Sequence, residues 1–325
     1  MDHMQLQLQR PAELEQELVN LMDEQQRKGS AQYHHWLTAQ EFGDRFGVSR
    51  QDIETVSNWL QNHGFRVDGV PISGMVIEFS GTAGQVKQAF HTEIHNVEVD
   101  GVAHIANMSD PQIPAALTGV VKGVHALHNF MPHSMVKKRP QFTFDCPAAN
   151  CGSDTTLYAV GPQDLATIYN LNPAFAAGYT GAGQTIVVIE DTNILNASDV
   201  ATFRSAFGLS GYSGTFSQVN PTGSATCNNP GANGDEGEAA LDAEWAGASA
   251  PDANVVLASC ADTNTVFGGL VALQNLINGA NPPQIVSISY GECESENGNA
   301  ANASYVTTYQ QAAALGVSVF VSSGD

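Results

Sequence analysis

Hydrophobic and polar positions follow one rhythm at the front of the chain and another at the back. In the front part, Thr38 with Glu41 and Thr82 with Gln85 have the spacing of capping boxes, and Ser49 with Asp52 forms a looser version. Ile53, Val56, Trp59 and Leu60 recur at helical spacing between Gln51 and His63. Strand-like runs go from Gly74 to Phe79, Thr92 to Val99 and Val102 to Asn107, and Asp100-Gly101 predicts a hairpin turn between the last two. Residues 1–128 therefore predict an α+β unit, with helices on one face of an antiparallel sheet.

From about residue 160 the pattern changes. Continuous β-branched runs at Thr185–Ile189, Asn254–Ala258, Ile285–Ser289 and Val317–Ser322 alternate with helical stretches at 198–207, 236–248, 265–278 and 303–315. Uninterrupted apolar strands joined by helices predict a parallel sheet covered on both faces, with ligands at the carboxyl ends of its strands. Residues 129–157, with scattered prolines and the basic cluster Lys137-Lys138-Arg139, read as an exposed linker open to proteolysis; a plain interdomain connector explains them equally well. The chain stops just after a strand, at Ser322-Ser323-Gly324-Asp325, so the expectation is a truncated domain over 158–325.

Charge sharpens the division. Up to residue 139 there are 11 basic and 16 acidic residues; beyond it Arg204 stands alone against 17 acids. Such a back half repels nucleic acid and anionic membrane at neutral pH, and loses much of its self-repulsion in acid. An acidic working environment fits, although halophilic and merely acidic secreted proteins share this signature. No segment is apolar enough to span a bilayer, and the N-terminus lacks the apolar core of a signal peptide.

All ten histidines precede residue 134, so nothing in view from 134 to 325 can offer an imidazole as general base or metal ligand. The five cysteines, Cys146, Cys151, Cys227, Cys260 and Cys293, form no CxxC. Disulfides in an oxidising compartment suit them better than zinc. Cys146 with Cys151 and Cys227 with Cys260 are candidate pairs, and the odd cysteine is either a free thiol or one whose partner lies outside the chain.

The sharpest chemical feature lies in Gly237-Glu238-Ala239-Ala240-Leu241-Asp242-Ala243-Glu244-Trp245. At roughly 100° per residue, Glu238, Leu241, Asp242 and Trp245 share one arc, leaving Glu236 and Glu244 toward solvent. Two carboxylates on a packed face hold a proton at higher pH than a free acid does, which suits a general base working in acid. A solvated surface pair is the competing reading. Glu190 and Asp191 end one strand, where an ordinary helix cap is equally natural. Ser287-Ile288-Ser289-Tyr290-Gly291 ends another, with backbone able to pair with an extended peptide, or is a simple strand-to-turn passage. Asp325 ends a third, where a protonated carboxyl would donate to an oxyanion.

Taken together these segments resemble the sedolisin, or kumamolisin-like, serine-carboxyl peptidases. YHHWLTAQEFGDRFGVSRQDIETVSNWLQNHGFRV and FSGTAGQVKQAFHTEIHNVEVDG are similar to the family's ferredoxin-like activation propeptide. LATIYNLNP with GAGQTIVVIED, then GEAALDAEWAGASAPDANV, VSISYGE and GVSVFVSSGD, resemble its subtilisin-like catalytic domain. The resemblance implies that Glu238 is the general base for a serine, that Asp242 holds Glu238, and that Asp325 is the oxyanion acid. It further implies that Glu190 extends the hydrogen-bond chain, and that Ser289, Tyr290 and Gly291 line the substrate cleft. It implies a secreted acid endopeptidase zymogen acting on protein or peptide substrates, with the propeptide bound to its own catalytic domain and no nucleic-acid or membrane partner. The family's nucleophile, in a Gly-Thr-Ser motif, and its Ca2+ ligands are expected beyond residue 325, so the chain as it stands is expected to be inactive. A non-catalytic pseudopeptidase or binding protein of the same fold and a tripeptidyl exopeptidase are the alternatives.

Overall fold

The computed structural model describes residues 1–135 and 160–324. In the front unit, β1 (Met4–Leu8) is followed by α1 (Ala12–Gln26), α2 (Ala39–Phe46) and α3 (Arg50–Asn62). Next come β2 (Arg66–Gly69), β3 (Val76–Ser80), α4 (Ala83–Phe90), the hairpin β4 (Ile94–Val99) and β5 (Val102–Asn107), and β6 (Val121–His125). Both expected capping boxes form: Thr38 Oγ1 accepts from the Glu41 amide at 3.1 Å and Thr82 Oγ1 from the Gln85 amide at 3.2 Å.

The front sheet is antiparallel in the order β2-β3-β1-β6, and the β4-β5 hairpin stands apart from it. Its central strand, Met-Gln-Leu-Gln-Leu, was not anticipated. The alternation is that of a strand, but both faces are buried. Met4, Leu6 and Leu8 enter the front core with Leu60, Phe79 and Phe90, while Gln5 and Gln7 face the back unit.

A short strand, β7 (His133–Ser134), leaves the front unit. The back unit begins with α5 (Pro162–Ile168) and α6 (Asn172–Ala176). It continues through β8 (Thr185–Glu190), α7 (Ser198–Ala206), β9 (Phe216–Val219), α8 (Glu236–Ser249) and β10 (Asn254–Ser259). α9 (Gly268–Ile277), β11 (Ile285–Ile288), β12 (Tyr290–Gly291), α10 (Glu294–Ala314, kinked at Gly298) and β13 (Ser318–Val321) complete it. Five strands form a parallel sheet in the order β13-β11-β8-β10-β9. Each expected strand is present, and β9 is added at the edge. Along β8 the side chains alternate: Val187 and Ile189 pack in the same core as α9, and Val188 packs with Ala239 and Ala243 of α8. The sheet is therefore covered on both faces, as its unbroken apolar strands require.

The two units share a core. Leu18 and Leu21 of α1 and Phe42 and Phe46 of α2 belong to the same apolar cluster as Val286 and Leu273 of the back unit. The last carbonyl of α10, that of Ala314, accepts from Gln25 Nε2 and from the Leu37 amide, each at 3.0 Å. The front unit thus caps a helix end of the back unit. Among the described residues every ion pair lies within the front unit. The seam is held by apolar packing and by hydrogen bonds such as Gln5 to Gln274 at 3.0 Å. Cys227 and Cys260 are disulfide-bonded and Cys293 is free and exposed, while Cys146 and Cys151 lie outside the described residues. No helix among the described residues is long and apolar enough to cross a membrane.

Candidate active site

The site forms at the carboxyl edge of the parallel sheet, where β8 and β11 end and the first half of α8 passes over them. Glu238 is buried and Asp242 half-buried, one turn apart. What buries them differs from the sequence expectation. Leu241 is 37% exposed, and the face of α8 turned to the sheet is made by Ala239, Ala243 and Gly247. Small residues let the helix lie close to the strands, and that close approach desolvates the acids. Trp245 sits to the side, against Phe203. Glu244 is not solvated as expected either: burial, and after it the charge of Asp199, push its carboxyl up to about 7. Glu236 accepts from the Leu195 amide at 2.6 Å.

Glu190, the last residue of β8, is fully buried. Its Oε2 accepts a hydrogen bond from the Tyr290 hydroxyl at 2.8 Å, and Asp191 Oδ1 lies 3.0 Å from the same hydroxyl. Its Oε1 has no donor partner. Burial first, and then the charge of Asp242, raise the Glu190 pKa well above the carboxylate range. Protonated, Glu190 still accepts from Tyr290 through Oε2 and has a proton to donate through its other oxygen, and the interaction with Glu190 lowers Asp242. Burial nonetheless wins at Asp242 and pushes it up to about 6, against the hydrogen bond from Ser289 and with help from Glu238. Ser289 Oγ lies 2.8 Å from both Asp242 oxygens. The result is a cluster of three carboxyls on two elements, Glu190, Asp242 and Glu238, in which burial raises the first two above the ordinary carboxylate range.

Tyr290 and Gly291 play different parts. The Tyr290 side chain is buried, tilted against Phe267 with ring centroids 5.1 Å apart, and it both supports Glu190 and borders a cavity that Gly291 and Glu292 also line. The backbone of β12 pairs antiparallel with β7, Tyr290 opposite Ser134 and Gly291 opposite His133. Sequence reading missed this pairing, because it treated residues 129–157 as an exposed linker. In the structure Met131 packs against the shared core and Ser134 Oγ donates to Glu238 Oε2 at 2.6 Å. Asp325 lies outside the described residues, as do Lys137, Lys138 and Arg139. Among the described residues no group of three His, Cys, Asp or Glu side chains is arranged to hold a metal.

Residues 3–130 match the family model of the pro-kumamolisin activation domain. The chain is 27% identical to kumamolisin of Bacillus sp. (strain MN-32), over 89% of this chain and 51% of that protein. It is 27% identical to xanthomonalisin of Xanthomonas sp. (strain T-22), over 91% of this chain and 36% of the relative. It is 28% identical to sedolisin of Pseudomonas sp. (strain 101), over 96% and 52% respectively. The chain thus spans about half of two of these curated relatives and about a third of the other. An activation domain packed on a parallel α/β sheet with paired acids at its carboxyl edge defines the class. The front unit of the chain matches the pro-kumamolisin activation domain, and over most of its length the chain is similar to members of the sedolisin family.

Proposed function

We propose that this chain carries the propeptide, residues 1–128, and the first part of the catalytic domain, residues 158–325, of a secreted acid serine-carboxyl endopeptidase made as a zymogen. The front strand order β2-β3-β1-β6 supports a ferredoxin-like propeptide, and the order β13-β11-β8-β10-β9 a subtilisin-like sheet. One observation carries the chemistry: a seryl hydroxyl, that of Ser134, sits on Glu238 Oε2 at 2.6 Å. The site therefore accommodates an alcohol oxygen hydrogen-bonded to a buried carboxylate, the geometry a serine nucleophile needs from its base.

In this reading Glu238 takes the proton of the nucleophilic serine as its oxygen attacks the peptide carbonyl, and then returns that proton to the leaving amine. Asp242, held by Ser289 and Glu190, fixes Glu238 and limits the negative charge around it. Asp325, protonated, donates to the oxyanion. The β12 backbone at Tyr290 and Gly291 pairs with the substrate as it does with β7. The 325 residues contain no Gly-Thr-Ser sequence, and this reading takes the nucleophilic serine from outside them.

The test is hydrolysis of casein and of a chromogenic peptide at pH 3–5. The 325-residue chain should show no turnover, while a version extended through a Gly-Thr-Ser segment should be active. Glu238→Gln in that version should lower kcat by at least about a hundredfold, the usual weight of a general base. Full activity of the variant overturns the assignment.

A further inference from the structure

Two histidines of the front unit lie in the seam against the back unit, where no ion pair among the described residues crosses. His125 ends β6 opposite Gln5, and the chain then turns sharply through Ala126, whose φ is 62°. The His125 ring is buried and its Nε2 has no partner; Nδ1 of His128 has none either. Both rings border a small cavity of about 40 Å³, lined on its other side by Thr265, Phe267 and Tyr305 of the back unit.

We propose that His125 and His128 are the acid sensor of the seam: neutral, they allow the front unit to stay docked, and their protonation drives it off, withdrawing Ser134 from Glu238. The idea rests on the zymogen reading above but replaces interunit charge pairing with buried imidazoles as the source of acid release. The segment that follows the rings runs directly through Met131 into β7, so opening the seam at His125 pulls on the strand that covers Glu238.

The charges around the rings support one sign. Burial first, then the neighbouring His128, push His125 down to about 4. Burial lowers His128 too, opposed only by a backbone hydrogen bond at Phe130. No carboxylate contributes to either shift. The open cleft beside the rings carries Asp110 and Lys122 of the front unit and Glu296 of α10, and none of these forms an ion pair with a histidine. His104 stacks on Phe130, and Tyr305, which faces the cavity from α10, has its pKa raised by burial. Asp262, pushed up to about 7 by burial, accepts from the Gly268 amide within the back unit, and its charge is felt at Tyr305 beside the cavity.

Both rings are neutral above their ordinary value of 6.5, and docking then carries no proton penalty. As pH falls from 6.5 through about 4, the undocked form binds protons that the docked form refuses, and docking weakens. Glu292, half-buried near Pro132 and raised to about 7 by burial, then by Glu296, acts in the opposite sense if opening exposes it.

Hydrogen exchange on the 325-residue chain tests the proposal without relying on peptidase activity. After correction for intrinsic exchange rates, protection of the β7 and β12 amides should fall roughly tenfold from pH 7 to pH 5, the order expected for one imidazole shifted this far. In a His125→Asn, His128→Asn variant the fall should shrink to about twofold or less, and in the docked parent the His125 ring should titrate below pH 5 by NMR. If the variant does not fold, the ring titration alone decides. An unchanged pH profile in the variant, or a His125 midpoint near 6.5 while β7 is still protected, overturns the proposal. Failure of the Glu238→Gln activity test would instead remove the peptidase reading and leave the docking switch standing.

Discussion

Ser134 and Glu238, 104 residues apart in the chain, share a 2.6 Å hydrogen bond in which the hydroxyl donates to the buried carboxylate. The contact joins the end of the front unit to the centre of the acid site, and it occurs because β7 pairs with β12 in register. A hydrogen bond to a charged acceptor contributes about 1.5–3 kcal/mol. Ser134→Ala should therefore loosen β7, which limited proteolysis near residue 135 at pH 7 would detect as cleavage faster by at least about tenfold. Unchanged cleavage would show that the contact is incidental.

Asp242 is expected to destabilise the protein when charged. Its folded value of about 6 lies above the ordinary 3.8, so the protein gains stability below pH 3.8 and loses it as pH rises through about 6. Asp242→Asn removes that penalty, at most about 3 kcal/mol. The melting temperature of the variant should exceed the parent's at pH 7 and match it near pH 3.5. A lower melting temperature at pH 7 would mean the charge is compensated.

Tyr290→Phe tests the support beneath the site. Its hydroxyl lowers the pKa of Glu190 and Asp191, which means that it favours their charged forms. Loss of the hydroxyl should cost about 1–3 kcal/mol at pH 8 and less at pH 4, where both acids take up protons. Equal losses at the two pH values, measured by denaturant unfolding, would contradict this.

On α8, Leu241→Ser should change stability by no more than about 0.5 kcal/mol, because the side chain is exposed. Ala243→Leu should cost about 1–3 kcal/mol, because it forces the helix away from the sheet. The reverse ranking would restore the apolar face that the sequence alone suggested.

Gly316 has φ of 77°, and an added Cβ would come within 2.6 Å of the Trp36 ring. Gly316→Ala therefore combines backbone strain with loss of the seat for Trp36, and should cost at least about 1 kcal/mol. Trp36 fluorescence should report undocking at lower denaturant than global unfolding. A single coincident transition identical to the parent's would argue that this contact does not hold the units together.

Local periodicity alone determined the alternation of strands and helices, the capping boxes and the one-turn spacing of Glu238 and Asp242, because each depends on residues within a few positions of one another. It left open the rotation of α8 about its axis. Which sector faced inward was decided by how closely Ala239, Ala243 and Gly247 allow the helix to approach the sheet, a matter of packing volume and not of hydrophobic count. β1 escaped notice for a related reason: its glutamines face a second unit, where water would be expected of a polar strand face. Only the tertiary structure brought Tyr290 to Glu190 and Ser134 to Glu238, because a hydrogen bond across 100 residues leaves no mark on local spacing.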